Sequence, residues 1–526
     1  MNTRKISRPI IFSQAGMVVS GHHRASEAGA SILRAGGNAL DAAIAASAAL
    51  CVAVPNMNGL GGDCFALFYD AKRNKVTCIN GSGAAPAAAL PQAYVDRNCQ
   101  SMPKRGPLPI SVCGLVHAWQ SGLAAFGSGR YSLAQLIENA ACLAEQGSEV
   151  DVCLQEYFAS DAYHELVLNA PGLKDIFGPR AKRSLGERIP QKTLSASLRR
   201  IAEEGVETMY GGALGRDLID DLSRQGSLLT LDDMRKHTTR LVDALSVSFY
   251  GRRLFFAPPN SQGIALGLLA GLWKALREGK AAPDLTPETY MRLKNIAFDL
   301  RDRYAVDPAR GVRLPPELLE EKTLHSLLEK NPPPPRDGVC SGGDTSALVV
   351  IDRWGNAVSW VQSLFDDFGS GVVSPSTGIV MHNRLRLEVL AENSPRCVQP
   401  GMRPFHTLCP ALLVGDRRCE IAIATPGDHG QPQSLFQVLV NIFAKDMNIQ
   451  AAIEAPRMRH DSGTDLMLEG ALYELYAREA EPLGMRPVDV GEWPRLMGGV
   501  NAIQCVPEGA LLSGADPRRS SYAVSA

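Results

Sequence analysis

A threonine can carry out acyl transfer unaided once it becomes the first residue of a chain. Its hydroxyl is then the nucleophile and its own α-amine the base, and that amine has a reference pKa of about 7.7 to 8.0, suited to neutral pH. Thr345 stands where such an event could occur. Ahead of it run Asn331-Pro332-Pro333-Pro334-Pro335, Arg336-Asp337-Gly338 and Ser341-Gly342-Gly343-Asp344. These prolines and glycines exclude helix and central strand and predict an extended, exposed loop. Directly after it, Thr345-Ser346-Ala347-Leu348-Val349-Val350-Ile351-Asp352 reads as a strand, Arg353-Trp354-Gly355-Asn356 as a turn and Ala357-Val358-Ser359-Trp360-Val361 as its partner strand. The Thr345 hydroxyl could therefore attack the Asp344 carbonyl, cutting the chain into residues 1–344 and 345–526. Taken alone, such an Asp-Thr pair is ordinarily structural.

The elements that must hold this strand are legible on either side of it. Ala25 to Val54 is dominated by Ala, with Gly36-Gly37-Asn38 as a turn, and predicts two closely packed helices. Phe65-Ala66-Leu67-Phe68-Tyr69 and Val76-Thr77-Cys78-Ile79 form a second predicted hairpin after the glycine turn Gly59-Leu60-Gly61-Gly62. From about 130 to 330 the pattern is mainly helical, as in Ser132 to Glu145, Thr193 to Glu204 and Thr286 to Arg303. No internal repeat is present.

At 526 residues the chain could hold three or four ordinary domains or one large α/β sandwich. Lys plus Arg total 54 against 55 for Asp plus Glu, without long charged blocks, which gives no reason to expect nucleic acid. The longest apolar stretch, Gly263 to Trp273, is too short to span a bilayer, and Pro9-Ile10-Ile11-Phe12 is too short for a signal core. A cytoplasmic protein acting on a small molecule is the expectation. The twelve cysteines lack CxxC spacing, so reduced buried thiols are expected rather than disulfides or zinc, and neither metal nor cofactor is called for.

Several ordered motifs point further. Ala15-Gly16-Met17-Val18-Val19-Ser20, Gly36-Gly37-Asn38-Ala39-Leu40-Asp41-Ala42-Ala43 and Leu60-Gly61-Gly62-Asp63-Cys64-Phe65 come first. Pro258-Pro259-Asn260-Ser261-Gln262-Gly263 and Asp302-Arg303-Tyr304-Ala305-Val306-Asp307-Pro308 follow. Gly369-Ser370-Gly371, Ser376-Thr377-Gly378-Ile379, Thr425-Pro426-Gly427, Ala455-Pro456-Arg457 and Asp516-Pro517-Arg518-Arg519 close the series. Through these the chain resembles the γ-glutamyltransferase family of N-terminal-nucleophile hydrolases over nearly its whole length. The resemblance implies a four-layer αββα sandwich with two stacked, mainly antiparallel sheets. It places the nucleophile on Thr345, with cleavage between Asp344 and Thr345, and implies a large subunit (1–344) and a small subunit (345–526) that form one folded heterodimer, open to further dimerisation. It also places the family's oxyanion-hole glycine pair on Gly427 and Asp428, whose backbone N–H groups would serve unless positive φ at 428 disfavours Asp. The hydroxyl that supports the terminal amine falls on Ser363.

The glutamate-reading side chains have all changed. Ser82 stands in place of the arginine that grips the α-carboxylate. Phe365, Arg384 and Leu387 replace an Asn, Gln and Asp, and His406 and Thr407 replace paired serines. Losing the acid at 387 removes a partner for a substrate ammonium, while Arg384 adds a guanidinium that prefers a carboxylate. Phe365 should shorten the cavity. For Arg384, Arg386, His406 and His429 a purely structural role stays open. The combination is similar to the oxamate amidohydrolase branch and implies hydrolysis of a small anionic amide, oxamate to oxalate and ammonia, in purine breakdown. The alternatives are a γ-glutamyl hydrolase or transferase, a cephalosporin-type acylase, and an uncleaved scaffold pseudoenzyme.

Overall fold

A computed structural model of the chain describes residues 8–179, 182–278, 284–330, 332–334 and 343–526, with the backbone alone at Asp344. The apolar run after Thr345 forms a strand covered on both faces. Leu348 and Val350 pack outward against helices, whereas Val349 and Ile351 face a second sheet. That alternation follows from the two-residue period of a strand and sets the layering of the molecule.

The strands of the two sheets are β1 (Phe12–Ser13), β2 (Gly16–Ser20), β3 (Asp63–Asp70), β4 (Lys75–Gly81), β5 (Arg240–Asp243), β6 (Leu245–Phe249), β7 (Arg252–Phe256), β8 (Gly343–Asp352), β9 (Ala357–Asp366), β10 (Ala411–Gly415), β11 (Arg418–Ala424), β12 (Asn501–Cys505), β13 (Leu511–Ala515) and β14 (Tyr522–Ser525). One sheet has the order β1-β13-β12-β11-β10-β7-β6 and the other β14-β2-β8-β9-β3-β4-β5, each seven-stranded and antiparallel throughout. Both sheets combine strands from before and after Thr345, so the two segments share one core. This is the expected αββα sandwich. The stretch 240–256, inside the region read as mainly helical, supplies three strands.

Helices α1 (His23–Arg34) and α2 (Ala39–Ala53) cover the β8 sheet, joined there by α3 (Leu133–Gln146) and α4 (Lys192–Glu204). Helices α5 (Gly263–Arg277), α6 (Pro287–Tyr304) and α7 (Gln431–Ala444) cover the other. Two of these helices are capped: Ser132 and Gln135 form a capping box on α3, and Thr286 caps α6 with a proline in its first turn. A Cβ at Gly29 would lie 2.9 Å from the Ala42 carbonyl oxygen, so the small residues do bring α1 and α2 into close approach.

The described cysteines are all free thiols, most of them buried. Among the described residues no helix is long and apolar enough to cross a membrane.

Candidate active site

Strand β8 does not begin at Thr345. Gly343 and Asp344 already pair with Asp366 and Phe365 on β9, which corrects the expectation that these two residues belong to a loop. The longer partner strand offers them backbone partners, and Gly343 fits because it lacks a side chain: a Cβ there would lie 3.0 Å from Phe365 Cε2 and 3.2 Å from the Asp428 carboxyl carbon. Asn331 and Pro335 to Gly342, the rest of the predicted loop, lie outside the described residues.

The pairing breaks at Thr345. Between the Asp344–Phe365 and Ser346–Gln362 pairs one strand has Thr345 and the other has Ser363 and Leu364. Such a bulge re-aims a side chain. The Thr345 hydroxyl donates to Ser363 Oγ at 3.2 Å, and Ser363 Oγ also accepts the Phe365 N–H at 2.7 Å, holding Phe365 at φ 80°. Thr345 and Ser363 are each 1% exposed.

Gly427 (φ 122°) and Asp428 (φ 53°) turn the chain from β11 into α7. Position 428 therefore does require positive φ, and aspartate takes it in the left-handed region that Asp tolerates better than most residues. Its backbone carbonyl is fastened by Gln262, whose Nε2 donates to Asp428 O at 2.7 Å and to Thr407 O at 2.6 Å. Asn260 and Ser261 of the same motif donate to Pro404 O and Leu408 O, both at 2.6 Å. That motif thus locks the 404–408 segment beside the 427–428 turn. The Asp428 carboxyl is 1% exposed, neither oxygen has a hydrogen-bond partner among the described residues, and burial pushes its pKa up to about 7.

Arg384 is wholly buried, with its guanidinium over the Phe365 ring at 4.4 Å from the centroid. Nη1 donates to Thr407 Oγ1 at 3.3 Å, while Nε and Nη2 have no hydrogen-bond partner among the described residues. A solvated surface role for Arg384 is therefore excluded, and Arg386 is taken up by an ion pair with Asp366. The Phe365 ring is itself buried beneath that guanidinium. Leu387 is buried in the apolar core, and Ser82 donates to Asn80 Oδ1 at 2.6 Å.

The residue that sequence reasoning passed over is Asp63. It opens β3, pairs with Ser363 in the sheet register and lies 3.8 Å from Arg384 Nε. Its other oxygen accepts from His406 Nε2 at 2.8 Å, and His382 Nδ1 is 3.1 Å away. Burial pulls the Asp63 carboxyl upward, but His406, His382 and Arg384 together hold it well below the usual carboxylate range. Burial, then Arg384, push His406 down to about 4, so its ring is neutral, with Nε2 protonated toward Asp63 and Nδ1 unpartnered among the described residues. A lone acid opening the apolar run Cys64-Phe65-Ala66-Leu67-Phe68 was the available signal. His429 receives Arg301 Nη1 at 3.0 Å, away from this cluster's contacts.

The arrangement thus joins a bulged threonine, a supporting hydroxyl, a glycine turn and a buried guanidinium with open donors. Among the described residues, the His/acid group spaced for a metal is the exposed Glu278 and Glu321 with the half-buried His325 near the end of α5, outside this constellation.

The sequence model of the family described as Gamma-glutamyltranspeptidase matches residues 25–526. The Glutathione hydrolase-like YwrD proenzyme of Bacillus subtilis is 34% identical over 521 residues, covering 97% of this chain and 98% of that protein. The Oxamate amidohydrolase proenzyme of Klebsiella pneumoniae is 32% identical over 526 residues, again covering 97% and 98%. The crystal structure of cephalosporin acylase from Bacillus halodurans superposes with a TM-score of 0.91 at 28% identity, covering 100% of this chain and 98% of that one.

Proposed function

Because this chain belongs to the gamma-glutamyltranspeptidase family, we propose that it is a self-cleaving amidohydrolase that converts a small anionic amide, with oxamate as the substrate, to a dicarboxylate and ammonia. Cleavage before Thr345 frees the α-amine. That amine takes the proton of the Thr345 hydroxyl as the oxygen attacks the amide carbon, the Gly427 and Asp428 N–H groups hold the developing oxyanion, and the C–N bond breaks as the proton passes to the leaving ammonia. Water then attacks the acyl-enzyme by the same route and releases the acid. Ser363 supports the hydroxyl.

The observation that carries the substrate class is Arg384: a fully buried guanidinium with Nη2 unpartnered among the described residues, and with Nε 3.8 Å from the Asp63 carboxylate but not hydrogen-bonded to it, is costly unless a ligand anion accepts from it. Thr407, which takes the third nitrogen, and His406, aligned through Asp63, border the same group. Phe365 beneath the guanidinium limits the acyl group to a compact one. A γ-glutamyl substrate fits less well, since Ser82 and Leu387 provide neither a carboxylate clamp nor an ammonium acceptor. The test is a denaturing gel with N-terminal sequencing, followed by ammonia release from a panel of small amides. Two fragments, the smaller beginning Thr-Ser-Ala-Leu-Val, and preferred turnover of oxamate are expected. A single full-length band returns the chain to the scaffold reading.

A further inference from the structure

The Asp428 side chain is not needed for an oxyanion hole built from backbone N–H groups, yet it is kept at a positive-φ position where glycine would sit without strain. Its carboxyl lies against Gly343, a residue ahead of the Thr345 cleavage point, close to the Phe365 ring edge. Both oxygens are buried without partners among the described residues.

The charges around it explain why it stays unpaired. Arg459, Asp461, Asp366, Arg386, Arg384 and Arg301 all act on this carboxyl electrostatically. Each of the four cations already faces an acid: Arg459 with Asp461 at 2.8 Å, Arg386 with Asp366, Arg384 with Asp63 at 3.8 Å and Arg301 with Asp302 at 2.7 Å, the last shared with Arg396 at 2.6 Å. An ionised Asp428 is therefore a buried negative charge with no hydrogen-bonded cation among the described residues. A substrate carboxylate beside Arg384 would be a second one.

We propose that Asp428 is a specificity-determining residue: as a carboxylic acid it donates a hydrogen bond to the substrate carboxylate held by Arg384, and as a carboxylate it turns that anion away. The inference rests on the anionic-amide reading above. It makes the ionic form of the ligand, and not only its size, the property that the pocket selects. In the uncleaved chain burial raises Asp428 to about 7, so selection is expected to change well above the ordinary carboxylate range.

The experiment compares oxamate with oxamide, its neutral isostere, on the mature protein between pH 6 and 9. KM is measured where ammonia is released, and the calorimetric dissociation constant where it is not. The oxamate constant should climb about tenfold per pH unit above about 7 while the oxamide constant does not follow. Asp428→Asn, a neutral donor, should flatten the oxamate profile at its low-pH value. Asp428→Gly should flatten it about tenfold higher. A ratio of the two ligands that is independent of pH in the wild type, a slope that survives in both variants, or failure of both ligands to bind overturns the inference. Binding with the expected slope but no ammonia release upholds it and sinks the hydrolytic reading; ammonia release with a flat ratio does the reverse.

Discussion

Replacing Arg384 by Met tests the recognition half of the site most directly. Methionine keeps much of the bulk over the Phe365 ring, so the packing loss is small beside the loss of charge. Asp63 would lose a cation 3.8 Å away, which costs stability as breaking any buried ion pair does, but it keeps its contacts with His382 and His406, so the variant is expected to fold with a lower Tm. What disappears is the pair of open donors, Nε and Nη2. A hydrogen bond to a charged group is worth roughly 1.5 to 3 kcal/mol net, about 10- to 150-fold in kcat/KM. Two such bonds from one rigid fork are not additive, so the upper half of that range is expected for oxamate. Because the carboxylate is present in both ground and transition states, the loss should fall mainly on KM. Ammonia release from oxamate and oxamide, with a denaturing gel to confirm cleavage, provides the measurement. Arg384→Met matching the wild type on oxamate, or losing equally on neutral oxamide, would refute a carboxylate-binding role.

Thr345→Ala should remain a single chain on a gel and release no ammonia, whereas Thr345→Ser should cleave slowly; cleavage at any other bond removes Thr345 as nucleophile. The proposed base is an amine that must be unprotonated, so kcat should fall on acidification through an apparent pKa of about 7 to 8 and should resist chelators. A chelator-sensitive rate would point to different chemistry. Ser363→Ala removes the acceptor of both the Thr345 hydroxyl and the Phe365 N–H and should slow cleavage and turnover by about tenfold or more, with Ser363→Thr restoring most of it; unchanged rates would leave Ser363 a sheet residue only.

The hairpin after Thr345 was legible because its period and turn are local: Asp352 Oδ1 accepts the N–H groups of Trp354 and Asn356, and Gly355 takes φ 81°. The paired helices were legible for the same reason, whereas the four layers came from the family resemblance. The start of β8 was not, because Gly343-Asp344 has no strand propensity of its own and is ordered by the overhanging end of β9. The recognition cluster was half legible. Arg384, His406 and Thr407 were reached through the family resemblance, but Asp63, which contacts Arg384 and His406, lies more than 300 residues earlier and shows its role only when β3 pairs with β9. Likewise nothing in Thr425-Pro426-Gly427-Asp428 indicates that the Asp428 carboxyl ends up beside Gly343.

Asp63 joins the nucleophile's strand partner to the recognition residues, and its removal has a predictable signature. Buried ion clusters rarely add net stability over an apolar equivalent, but breaking one by removing a single charge costs about 3 to 5 kcal/mol. Asn retains one acceptor, so Asp63→Asn should cost somewhat less, about 2 to 3 kcal/mol, seen as a Tm about 2 to 3 °C lower at pH 7. The pH dependence follows from the sign of the shifts. A carboxylate held below its ordinary value stabilises the fold fully above the unfolded pKa of about 3.9 and loses that contribution only as pH falls below it. The Tm difference between wild type and Asp63→Asn should therefore stay constant from pH 8 down to pH 5. If His406 were instead charged by Asp63, its raised pKa would make the difference shrink as pH rises from about 6.5 through that raised value, and melting curves showing that trend would overturn the assignment of a neutral His406. Kinetically the variant should lose affinity for the anionic amide, because Arg384 and His406 are no longer aligned, while Thr345 keeps its own contact with Ser363 and cleavage proceeds. A variant that matches the wild-type KM would reduce Asp63 to a packing residue.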